Sequence, residues 1–312
     1  MIQTWKIPHI LKGMLTWLPV LNTWRLRRAS TGGSDSSRYC YSVWLRHLIM
    51  LDSYGFRIKG ASIGELGPGD SIGMGLAALL AGAAKYVGLD IVPFSSRCDL
   101  QTVLAELIWM YSHRESIPDH NEFPRVRPRL DSYDFPDHLV EWADFKDRAE
   151  KIREEINKGV NSGQFVNYRA PWTSPDEIAP ASLDLIFSQA VLEHIDHLEE
   201  TYDAMSTWLK QGGYASHVID FNSHDLSPFW NGHWAYTDQE WRMVRGRREF
   251  LLNRQPLSVH LHYANRAGFE ILQLRKDYSD EGLDRWALSK DFQSFDIEDL
   301  KTRGVVLTLR KW

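Results

Sequence analysis

The chain has 312 residues and a mass of 36.2 kDa, with 43% hydrophobic and 25% charged residues. That balance belongs to a chain that buries a large core, and it excludes wholesale disorder, a collagen-like rod and a multi-span membrane protein. A net charge of −5 argues against a general nucleic-acid binder, which needs a basic surface. The two cysteines, Cys40 and Cys98, are too few for a disulfide framework or a four-cysteine zinc site, and fit a reducing compartment.

Residues 1–34 carry Lys6, Lys12, Arg25, Arg27 and Arg28 and no acid, so the remaining chain holds a charge of −10. Trp5, Trp17 and Trp24 lie among aliphatic residues in this stretch. Lys12 and Pro19 interrupt what would be the apolar centre of a secretory signal. The pattern is that of a basic amphipathic arm, which either lies in an anionic membrane interface or docks on its own domain or a partner. Residues 30–37 read as a flexible break, so the arm and linker cover 1–37 and the main domain 38–312.

The spacing then predicts a helix over Tyr41–Tyr54 and a strand from Arg57 to Leu66 running into Gly67-Pro68-Gly69-Asp70-Ser71. An Ala/Leu-rich helix over Ile72–Ala84 and a strand over Lys85–Ile91 complete a βαβ unit. From about 95 to 163 the alternation is interrupted. Arg125, Arg127 and Arg129 stand among four prolines, and a helix is predicted over Asp137–Lys158. This reads as an insertion over the sheet's carboxyl edge, either a substrate lid or packing. Beyond it come a strand over Leu183–Ser188, a helix over Leu198–Lys210 stopped by Gly212-Gly213, and a strand over Tyr214–Phe221. A helix over Leu257–Ala267 and strands over Phe269–Leu274 and Val305–Arg310 end the series. Such alternation implies an α/β fold with a mainly parallel sheet and helices on both faces.

Gly67, Gly69 and Gly73 allow close backbone approach to a ligand, and Asp90 ends the second strand where a carboxylate can take both ribose hydroxyls. The dinucleotide fingerprint wants glycine three residues after Gly69, where Ile72 stands. Glu65 would repel a phosphate and welcome an ammonium. Add Pro180-Ala-Ser-Leu-Asp-Leu-Ile-Phe-Ser-Gln-Ala-Val-Leu-Glu-His-Ile195, then Gln211-Gly212-Gly213 and the strand through Asp220. Together with Glu65–Asp70 and Gly88-Leu89-Asp90, this resembles the class I S-adenosylmethionine-dependent methyltransferases over about residues 55–312. The C-terminal stretch and the basic arm are similar to a bacterial branch of unassigned substrate.

The resemblance implies a Rossmann-like, seven-stranded, mostly parallel sheet with an inserted helical lid. It implies S-adenosylmethionine as cofactor, with Glu65, Gly67, Pro68 and Gly69 at the methionine end, Asp90 on the ribose and Ile91 on the adenine. Tyr168, Arg169 and Ala170 would border the adenine, though the acid many relatives place there is absent. Ser188, Gln189 and Ala190 would line the methionine side. A hydroxyl acceptor also needs a base. His194, His224 and His217 are the candidates, with Asp220 as the group that could orient one of them. No metal is expected, since neither His217-x2-Asp220-x3-His224 nor His194-x2-His197 matches a standard zinc pattern.

The expected activity is O-methylation of a glycan precursor or related small molecule, on the cytoplasmic side and possibly at the inner membrane face. The alternatives are a secondary-metabolite O- or N-methyltransferase and a non-catalytic cofactor-binding subunit. Trp230, Trp234, Tyr236 and Trp241, followed by Arg242, Arg245, Arg247 and Arg248, either bind a sugar phosphate or aromatic metabolite or pack a second insertion.

Overall fold

The computed structural model describes residues 3–18, 33–93, 98–160, 164–172, 174–248 and 250–312. Trp24, Arg25, Arg27 and Arg28 of the basic arm lie outside them. Seven strands form one sheet: β1 (Ser62–Leu66), β2 (Lys85–Leu89), β3 (Val166–Arg169), β4 (Leu183–Gln189), β5 (Leu209–Asp220), β6 (Phe269–Tyr278) and β7 (Thr302–Lys311). Their order is β3-β2-β1-β4-β5-β7-β6. The first five pair in parallel, while β7 runs antiparallel to both β5 and β6. The expected Rossmann-like sheet is present.

Helices cover both faces because successive strand residues point to opposite sides. On one face Ile63, Tyr86, Leu185 and Phe187 pack under α2 (Ser37–Asp52), α3 (Gly73–Ala81), α4 (Leu100–Ser112) and α5 (Phe145–Lys158). On the other, Leu66, Val87, Leu89 and Ile186 pack with α6 (Leu198–Trp208) and α8 (Leu257–Arg266). Tyr86 fits only because Gly75 has no side chain, since a Cβ there would run into its ring.

Three sequence expectations change. The segment between β2 and β3 holds an unforeseen helix, α4, begun by Asp99, whose side chain accepts from Gln101 N–H. The helix expected over Asp137–Lys158 is a short turn at Asp137–Leu139 and then α5. Both α4 and α5 belong to the face layer, and the loop through Pro124–Arg129 is what reaches the sheet's carboxyl edge. Gly212-Gly213 does not stop a helix before a new strand. Leu209 already pairs with Leu183 and Tyr214 with Leu185, so the glycines form a bulge within β5, with Gly212 at φ +75°.

The arm docks on its own domain. Helix α1 (Lys6–Leu15) lies against α7 (Asp238–Arg245). Lys6 Nζ donates to Glu240 at 2.9 Å and to the Ala235 carbonyl at 2.6 Å, and Trp5 meets Tyr236 edge-to-face at 5.4 Å. Glu240 also closes the capping box of α7 with Thr237. The aromatic segment after β5 is core in the main. Trp234, Tyr236 and Trp241 are buried in two small clusters, and only Trp230 reaches the cleft. Among the described residues no helix is long and apolar enough to cross a membrane.

Candidate active site

A cleft of about 1590 Å³ runs along the carboxyl ends of the parallel strands. That exceeds the roughly 300–1,000 Å³ of a single-ligand pocket, leaving room for a cofactor and an acceptor together.

At one end, β1 delivers Gly67, Pro68 and Gly69 to the cleft wall. Gly67 (φ +63°) and Gly69 (φ +73°) turn the backbone through the left-handed region. A Cβ on Gly67 would stand 2.7 Å from the Val191 methyls. Asp90, buried at the end of β2, accepts from Gly69 N–H at 3.1 Å through one oxygen and from Ile91 N–H at 2.8 Å through the other. Its carboxyl is raised, chiefly by burial. Two oxygens carry about four acceptor sites, so capacity remains on the cleft side. Ile91 presents its apolar side chain, 45% exposed, to the same cleft.

Several expected cofactor contacts stand elsewhere. Glu65 does not line the cleft. It is buried behind the glycine turn, accepts from the Tyr86 hydroxyl at 2.6 Å, and burial raises it to about 8. Tyr168 points inward and donates to the Val92 carbonyl, Arg169 turns away to Glu177, and Ala170 is also off the wall. Trp172 lines the cleft where these three do not, its backbone N–H donating to the Asp90 carbonyl at 2.7 Å. An X-Pro-Trp after a short strand was the only sequence signal for it. Gln189 and Ala190 do line the cleft, but Ser188 is fully buried, since alternation along β4 turns it the other way.

Of the candidate bases, His217 does not reach the cleft. It is fully buried with Nδ1 2.8 Å from Ser188 Oγ, and burial lowers it to about 3. Beside it, His47 from α2 meets Ser216 Oγ at 2.7 Å and Gln189 Oε1 at 3.2 Å. These buried pairs were not foreseen. They fix Gln189 from behind.

His194 and His224 come together at the cleft with rings 5.0 Å apart, edge-to-face. Burial, then the His224 charge, lower His194 to about 4. His224 is more open, and its Nε2 stands 3.4 Å from Asp220 Oδ2. Burial opposes the charge on Asp220, yet His224 and Asn222 bring its carboxyl below the ordinary value. The chain is bent to make this corner: Ala190, His224 and Asp225 all hold positive φ, at 53°, 46° and 61°. Residues in that region cost of order 1–3 kcal/mol each and collect at functional sites. Asn253, another residue not foreseen, steadies the turn by donating from Nδ2 to the Leu192 and Ile195 carbonyls.

Glu193 is the unexpected member. It is buried, neither carboxylate oxygen has a hydrogen-bond partner by distance and angle among the described residues, and burial pushes it well up. Glu193, His194 and His224 place ligand-type atoms within 4.8 Å of one another. Neither of the two ligand spacings considered in the sequence forms this group, because His217 faces the core and the His197 side chain is exposed.

No protein-family model matches the chain, and no curated protein matches it. Solved structures that resemble it include several methyltransferases. An S-adenosylmethionine-dependent methyltransferase of Mesorhizobium loti has 13% identity and a TM-score of 0.43, over 84% of this chain and 96% of that one. One from Methanosarcina mazei has 14% identity and a TM-score of 0.42, over 84% and 96%. Geranyl diphosphate methyltransferase, in complex with its cofactor, has 13% identity and a TM-score of 0.45, over 86% and 85%. What the site can do follows from its own residues.

Proposed function

We propose that the protein is an S-adenosylmethionine-dependent methyltransferase acting on a hydroxyl of a glycan precursor or related small molecule. The carrying observation is the pairing of the Gly67–Gly69 turn with buried Asp90 on one cleft wall. The turn excludes any side chain, and the carboxylate keeps acceptor capacity for a ribose diol. Ile91 and Trp172 supply apolar faces for a purine. A nicotinamide dinucleotide fits less well. Ile72 is fully buried at the head of α3, where that fingerprint needs glycine, and the strand beside β5 is antiparallel.

When bound, this cofactor supplies an electrophilic methyl on a sulfonium that needs no acid to leave. The protein's part is alignment, together with removal of the acceptor's proton. His224 takes that proton and Asp220 holds its ring. His194, lowered to about 4, is a weak base near neutral pH and packs against His224 instead.

The exposed face of α1 supports a site of action at a membrane surface. Ile7, Leu11, Met14 and Leu15 are about half exposed along one side of a helix whose other side is docked, and Leu18 just beyond it is equally exposed. Deleting the arm would also strip Trp5 and Ile10 from a core cluster, so substitution is the cleaner test. Leu11→Glu with Leu15→Glu should abolish sedimentation with anionic vesicles while leaving the melting temperature unchanged, and undiminished binding would refute the membrane role.

The cofactor is tested by thermal shift with S-adenosylmethionine, S-adenosylhomocysteine, NAD and NADP. A ligand at about 100 times its Kd adds roughly 2.7 kcal/mol, a shift of several degrees in a chain of this size. Shifts with the first two alone are expected. A shift with NAD alone would overturn the proposal.

A further inference from the structure

The far end of the cleft is a wall of cations. Arg125, Arg127 and Arg129 reach it from the loop between α4 and α5, and Arg275, Lys276 and Arg303 from the adjoining ends of β6 and β7. The segments meet at Asp277, which takes Arg127 and Arg303, each at 3.2 Å. Lys276 pairs with Glu298. The guanidinium groups of Arg125, Arg129 and Arg275 have no hydrogen-bond or ion-pair partner among the described residues. Six cations thus share two carboxylates, in a chain whose acids outnumber its Lys and Arg by 41 to 36.

The loop is a built feature. Val126 and Pro128 are buried, and their carbonyls accept from Arg46 Nη1 at 3.1 and 2.9 Å. Arg46 also donates to the Pro118 carbonyl at 2.8 Å and to Ser42 Oγ at 3.1 Å. With residues 126 and 128 clamped inward, the alternating positions 125, 127 and 129 face the cleft. Arg46 itself is fully buried and donates to no carboxylate among the described residues, so its charge adds to the positive field beneath the row. Water and salt screen such a charge far less than an exposed one.

We infer that this wall binds a phosphate or diphosphate group on the acceptor. One bidentate arginine satisfies a carboxylate, whereas several converging guanidinium forks match the larger charge and the oxygens of a phosphate. Only the attribution of that group to a methyl acceptor rests on the methyltransferase reading. The wall stands opposite the Gly67–Asp90 end, so the cofactor and the anion occupy separate parts of one cleft.

The test is calorimetric titration of the full chain, saturated with S-adenosylhomocysteine, with inorganic pyrophosphate and with sulfate at matched ionic strength. Pyrophosphate should bind at least about tenfold tighter than sulfate. Arg125→Gln with Arg129→Gln should weaken it by about tenfold or more and leave S-adenosylhomocysteine affinity unchanged. Arg275→Gln, outside the loop, should weaken it in the same direction and guards against misfolding of the first variant. Equal affinity for the two anions, or indifference to both variants, would overturn the inference. Loss of S-adenosylhomocysteine affinity in the variants would also overturn it, by assigning the arginines to the cofactor. If S-adenosylhomocysteine does not bind the native chain, the cofactor proposal fails, while pyrophosphate titration of the unliganded protein still reads the wall.

Discussion

At one end of the cleft the chain offers backbone. Gly67 and Gly69 are bare, held by the Leu89 carbonyl and the Asp90 carboxylate, which accept from their respective N–H groups. At the other end it offers long side chains: three arginines from a clamped loop, and three cations from two strands far away in sequence. The first arrangement is intolerant, because a single methyl group on Gly67 has nowhere to go. The second is graded, because each arginine adds a part of the field. In the proposed methyltransferase, this division would let acceptor preference change without disturbing the donor's seat.

The sharpest way to break that comparison lies between the two ends. His224→Ala should lower kcat by about 10²–10⁴-fold, the usual worth of a positioned base. Cofactor affinity should stay unchanged, and added imidazole should restore part of the rate. A variant of full activity would remove His224 from the chemistry. Next in size, Gly67→Ala should weaken S-adenosylhomocysteine by at least about tenfold, since left-handed backbone costs about 1–2 kcal/mol for a residue with a Cβ and Val191 must also move. Pyrophosphate binding at the far end should be untouched. If both affinities fell together, the ends would not be independent.

The smallest effect concerns the polar layer behind the cleft. Burial lowers His47 to about 4 and His217, His233 and His260 to about 3. The unfolded chain, with histidines near 6.5, binds protons that the folded chain refuses. The stability linked to them is complete above about pH 6.5 and is lost progressively as pH falls towards about 3. Glu65, raised to about 8, has the opposite sign: its contribution is present below about pH 4.5 and is lost as pH rises through 8. The melting temperature should therefore peak near neutral pH and fall by several degrees between about pH 7 and pH 5. A flat acid limb would mean that these histidines are protonated in the fold.

The glycine-turn end of the cleft is legible in the sequence because its placement is local. Gly67, Gly69 and Asp90 lie within one βαβ unit, where strand length and turn chemistry fix their places. Glu65 and Ser188 belong to the same motifs but stand off the cleft wall, since a motif does not say which face a side chain takes in a strand. The arginine end depends on contacts such as Arg127 with Asp277, 150 positions apart, which no local pattern announces. His217 shows the same limit. Three histidines near two strand ends looked alike in sequence, and only the register with Ser188 sends one of them into the core.

Helix α1 lies early in the chain, yet its seat is made late. Lys6 waits for Glu240, 234 residues further on, and Gln3 for the carbonyl of Ala287. During synthesis, α1 must therefore stay undocked, with both of its apolar faces uncovered, until α7 and the segment through about residue 287 have left the ribosome. Its docking is a late event of assembly, and it covers only one of those two faces.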